Sequence, residues 1–77
     1  MKIRHELVDV IVHEGIPSSI TRRGRRLYVI RVIDRWIYRS RWWAKEEERR
    51  YWWLLCDEAS VEVFERNGRW YRSRVWD

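Results

Sequence analysis

At 77 residues the chain has room for one domain and no second core. Its single cysteine, Cys56, excludes an intramolecular disulfide, and no stretch approaches the roughly 20 apolar residues that span a bilayer. The formal net charge of +5 is carried almost wholly by arginine, which supplies fifteen of the seventeen basic residues.

The elements follow in chain order. Residues 3–12 are β-branched and apolar enough for a first strand, with Leu7, Val8, Val10, Ile11 and Val12 apolar on both faces. Arg4, His5, Glu6 and Asp9 interrupt any run long enough for a signal peptide, so a soluble, cytoplasmic protein is expected. Gly15, Pro17, Ser18 and Ser19 break the pattern, and residues 21–24 read as a loop that turns at Gly24. Tyr28, Ile30, Val32, Trp36 and Tyr38 then alternate with Arg31, Arg35 and Arg39, the mark of a long strand with an arginine-bearing face. Asp34 falls on the inward side, which suggests a bulge or a buried pairing with an arginine.

Residues 41–50 are polar, and Glu46 stands four residues before Arg50, so a loop or one short helical turn near 43–49 is expected. Residues 51–56 are apolar throughout and read as a central strand covered on both faces. Residues 61–66 and 69–76 flank Asn67-Gly68, the strongest short hairpin signal, because both residues tolerate positive φ. The sum is a single all-β domain over residues 1–77: four to five antiparallel strands in a meander that closes into a small barrel or half-barrel. Aromatic side chains bury about 150–250 Å² each, so seven Trp, four Tyr and one Phe can fill so small a core.

No constellation for catalysis or metal binding emerges. His5 and His13 lie eight residues apart, about 26 Å along a strand, too far to share a metal without a bend. Cys56 sits in the most apolar run, where burial makes a thiol inert. Glu46, Glu47 and Glu48 are flanked by Lys45 and Arg49, the composition of a solvated turn rather than a desolvated acid–base pair. The three glycines are isolated and form no phosphate cradle. A noncatalytic protein without cofactor or metal is expected.

What remains is arginine interleaved with aromatics. Residues 20–41 hold eight Arg against Asp34 alone, and residues 66–74 hold four Arg and no acid. Clustered base is the footprint of a surface for polyanions, and bases of single-stranded nucleic acid stack on exposed rings. On that reading Arg22, Arg23, Arg25 and Arg26 contact phosphate from a loop. Arg39, Arg41, Arg69 and Arg72 extend the surface, and Trp42 or Trp43 is the stacking platform. The competing reading places most rings in the core with arginine stems over them, and attributes the arginine excess to a GC-rich genome. In an extended chain, however, the neighbours in Trp42-Trp43 and Trp52-Trp53 point to opposite faces, so one ring of each pair needs a second layer, a loop or a partner.

The run Arg23-Gly24-Arg25-Arg26-Leu27-Tyr28-Val29, then Asp34-Arg35-Trp36, Arg41-Trp42-Trp43, residues 49–52, Gly68-Arg69-Trp70-Tyr71 and Val75-Trp76-Asp77 carry a family resemblance. Over residues 22–77 the chain resembles a small uncharacterised bacterial and archaeal domain that also occurs at the C-terminus of ImuB-like proteins, Y-family polymerase homologues of the damage-inducible mutasome. The resemblance implies an accessory role near DNA repair or translesion synthesis, with no catalytic residue to carry over. The N-terminal strand lies outside it, and the chain has no polymerase portion. The function expected first of the arginine and tryptophan surface is therefore contact with nucleic acid. The alternative is a protein-interaction module, bound to a partner of the repair machinery or to further copies of itself.

Overall fold

A computed structural model describes residues 5–42 and 45–76. Six antiparallel strands follow one another as a meander and close into a barrel: β1 (Glu6–His13), β2 (Ile16–Arg22), β3 (Arg25–Trp42), β4 (Lys45–Cys56), β5 (Ser60–Arg66) and β6 (Arg69–Trp76). Closure is made by β1, which pairs Glu6, Leu7 and Val8 with Arg72, Tyr71 and Trp70 of β6, then passes to β2 from Asp9 onward. Among the described residues no helix is long and apolar enough to cross a membrane.

The all-β barrel agrees with the expectation, and the strand count is corrected from four or five to six. The missed strand is β2. Its opening residues look like turn formers, yet Pro17 is buried and Ser18 is the extra residue of a bulge opposite Ile11 and Val12. The Ser18 hydroxyl donates to the Ile11 carbonyl at 3.0 Å. A proline has no N–H for the ladder, and a bulge is where a strand accommodates one.

The second correction concerns residues 43–49, where a loop or helical turn was expected. β4 begins at Lys45, opposite Trp42, so residues 45–49 are strand. The charges explain why. Arg39 lies directly opposite Glu48 and Arg41 opposite Glu46, and both pairs make ion contacts at 3.0 and 3.9 Å. Opposite charges across a ladder support it.

Three two-residue turns, Glu14-Gly15, Arg23-Gly24 and Asn67-Gly68, join the strands with positive φ at both positions. This is the backbone of the turn whose twist matches that of the flanking strands. β3 carries two bulges, at Ile30 and Ile33, so Asp34 stands beside a bulge as expected; it is exposed, however, and its carboxylate accepts from the Arg35 amide at 2.8 Å.

The inward face gathers Val8, Ile20, Leu54, Cys56, Val61 and Val63, with Val10, Leu27, Val29, Val32, Trp52 and Trp70 packed around them. β4 from Tyr51 to Cys56 is the central strand anticipated, paired on both sides. Leu54 is fully enclosed. Its truncation to alanine is expected to cost about 2–5 kcal/mol, a large share of the roughly 5–15 kcal/mol that holds a domain folded. Urea unfolding followed by tryptophan fluorescence measures it.

Candidate interaction surface

Strand alternation sends Val61 and Val63 inward and therefore Phe64 outward, yet Phe64 is only 1% exposed. It is buried in a second layer on the outside of the sheet. Trp36 of β3, Tyr51 of β4, Phe64 of β5 and Tyr71 of β6 are successive cross-strand partners and form one row across four strands. Their ring centroids are 5.3, 5.0 and 5.2 Å apart. Trp36 and Tyr51 are nearly parallel, at 4°.

The row is roofed by cations and a histidine. Arg49 lies 5.1 Å over the Phe64 ring and Arg66 lies 5.3 Å over Tyr71, while His5 meets Phe64 edge-on at 4.9 Å. Both guanidinium groups donate to one Glu47 oxygen at 3.0 Å. Glu47 thereby ties the projecting end of the β3–β4 ribbon to β5.

At its β3 end the row stops because the sheet stops. β2 pairs with β3 only through Tyr28, and residues 29–42 are bonded to β4 on one side with no strand on the other among the described residues. That open edge exposes apolar side chains between charged ones. Ile30 is 64% exposed, Ile37 54%, Tyr38 52% and Trp36 38%, with Tyr28 and Ile33 beside them. Ile11, Val12 and Ile16 at the far end of the β1–β2 hairpin are exposed as well.

The arginines singled out for phosphate contact are mostly engaged. Arg22 is in β2 and Arg25 and Arg26 are in β3, not in a loop; Arg22, Arg25 and Arg72 face inward at one mouth of the barrel, around a cavity of about 280 Å³ floored by Val8, Ile20, Leu27 and Val61. Glu6 pairs with Arg22 and, at 3.1 Å, with Arg72; Glu58 pairs with Arg25. Arg39 and Arg41 are held by Glu48 and Glu46. Arg23, Arg26 and Arg69 are exposed and have no carboxylate partner among the described residues; Arg26 donates to the Thr21 hydroxyl at 3.5 Å. Trp42 ends β3, and Trp43 lies outside the described residues.

The ring row was missed in the sequence because it needs three registers at once. One signal was available: a two-residue turn at Asn67-Gly68 puts Phe64 opposite Tyr71. Cys56 is buried, and its thiol is pushed up to about 11, first by burial and then by Asp57. Among the described residues no group of three His, Cys, Asp or Glu side chains could hold a metal ion. No family model matches the chain, and no curated protein or solved structure matches it, so the resemblance stands on its motifs alone.

The roof predicts an acid response. His5 is held below its ordinary value of 6.5 by burial and then by Arg49 and Arg66. Hydrogen bonds from Arg22, Arg49 and Arg39 hold Glu6, Glu47 and Glu48 below 4.5. In each case the unfolded chain binds more protons than the folded one, so stability is present above the unfolded value and lost as pH falls. The urea midpoint is expected to decline first below about pH 6.5 and then more steeply below about pH 4.5. His5→Gln should remove the first decline and leave the second.

Proposed function

We propose that this domain is a noncatalytic interaction module that takes an extended segment of a protein partner as an added strand on the open edge of β3. The observation that carries the reading is the coincidence, over residues 29–42, of a one-sided ladder with exposed Ile30, Ile33, Trp36, Ile37 and Tyr38. An unpaired edge offers a row of N–H and C=O groups, and here two bulges and the charges of Arg31 and Arg35 restrict which segment can pair with it. Strand addition uses those groups for affinity and the alternating side chains for specificity. Arg31 and Arg35 lie along the same strand with no carboxylate partner among the described residues, which favours an acidic segment. The setting implied by the resemblance would make the partner a protein of the repair machinery.

A second reading, contact with nucleic acid, is favoured by Arg23, Arg26 and Arg69, which keep their charge free for phosphate. It has less support, because Arg22 and Arg72 share Glu6 of the chain itself, and Arg25, Arg39 and Arg41 have acidic neighbours.

Peptides selected from a random 12-residue library on the immobilised chain, then titrated into isotope-labelled protein, test the two readings together. Strand addition predicts amide shifts concentrated in residues 29–42 and loss of binding with Ile37→Lys. Selected peptides that shift other residues would overturn it. So would failure to select any peptide, alongside DNA binding that weakens as salt rises, as phosphate contacts require.

A further inference from the structure

We infer that the segment added to β3 carries an aromatic side chain that stacks on Trp36 and lengthens the ring row by one, flanked by an acidic residue and an aliphatic one. This inference rests on the edge-strand reading above and names the partner that the edge selects.

The row is built by the sheet itself. Each ring is followed by the residue directly opposite on the next strand, and the centroid spacings of 5.0–5.3 Å are close to the distance between neighbouring strands, about 4.7–4.9 Å. Trp36 is the last ring because no strand follows β3 on that side among the described residues. It remains 38% exposed, whereas Phe64 within the row is closed off. A strand added to the edge therefore sets the residue opposite Trp36 one strand spacing away, the separation at which every other ring of the row finds its neighbour. Flat rings meet well there, since Trp36 and Tyr51 already stand parallel.

The flanking chemistry comes from the other face of the ribbon. Arg35 and Ile37 adjoin Trp36 and point to the opposite side. Arg35 lies over Trp52 at 5.8 Å and has no carboxylate partner among the described residues, so the residue opposite it is best an Asp or Glu. Ile37, 54% exposed, asks for an aliphatic residue. A nucleobase on Trp36 is less well served, because Asp34 is exposed on the same face and Arg49 is committed to Glu47. A second copy of the chain is also less suited. Pairing Trp36 with Trp36 places each Arg35 opposite an Ile37, leaving both cations without an acid between two chains of charge +5.

The selected peptides described above decide the matter. Enriched sequences should share an aromatic residue between an acidic and an aliphatic one. Replacing that aromatic with alanine should weaken binding at least tenfold on the native chain and have little effect on Trp36→Leu. Trp36→Tyr should restore most of the affinity, which separates loss of stacking from loss of fold. Arg35→Glu should shift the preference from an acidic to a basic neighbour. Peptides that shift residues 29–42 but lack an aromatic, or that bind equally to Trp36→Leu, would overturn the stacking inference and leave the edge reading intact. Peptides that bind elsewhere would overturn both, and so would an oligothymidine that perturbs Trp36 where no peptide is selected. Concentration-dependent dimerisation in sedimentation that Trp36→Leu abolishes would assign the edge to a second copy instead.

Discussion

The structure depends on how β3 serves two neighbours. Its first four residues complete the barrel wall against β2, and everything from Val29 onward belongs to β4 alone. Bulges at Ile30 and Ile33 stand at the changeover. A bulge leaves a residue unpaired, bends the strand and increases its twist. β3 can thus curl around a core as small as Leu54, Val61, Val63 and their neighbours and then leave the barrel as a two-stranded ribbon. The price of that closure is an edge with no strand beside it among the described residues, along which Ile30, Trp36, Ile37 and Tyr38 are exposed.

Two layers stabilise the sheet where one would be expected in so short a chain. Inside, aliphatic residues and Cys56 fill the barrel. Outside, Phe64 is buried under His5 and Arg49 and between Tyr51 and Tyr71, and Arg66 lies over Tyr71. Guanidinium groups suit this second layer because they lie flat on rings while their N–H groups still reach a carboxylate. Glu47 accepts from both arginines of the roof and so joins the ribbon to the barrel. A lone two-stranded ribbon is marginal in water, and this ion cluster together with the ring row gives it further support.

Much of the architecture was legible residue by residue. Asn67-Gly68 announced the last hairpin, the unbroken run from Tyr51 to Cys56 announced a central strand, and Gly24 announced a turn, each because the local backbone requirement admits few residue types. β2 was not legible, since Pro17 and Ser18 act as strand residues only when a bulge removes the need for a ladder N–H. Nor was the strand character of residues 45–49, because Glu46 to Arg50 satisfies a helical spacing as well as it satisfies alternation. Cross-strand partners more than four residues away settled it, with Arg39 meeting Glu48 and Arg41 meeting Glu46.

The candidate surface divides the same way. By itself the sequence determined an all-β domain, a buried Cys56, and a surplus of arginine and aromatic side chains too large for one core. It could not say which arginines were free or which rings faced outward. Charge along a chain is local information, whereas an ion pair such as Glu6 with Arg22 and Arg72 joins three strands through barrel closure. The row from Trp36 to Tyr71 likewise exists only once three strand registers are set together. Only the tertiary structure decided which of the arginines first proposed for phosphate have carboxylate partners, and that residues 29–42 of β3 have a strand on one side alone among the described residues.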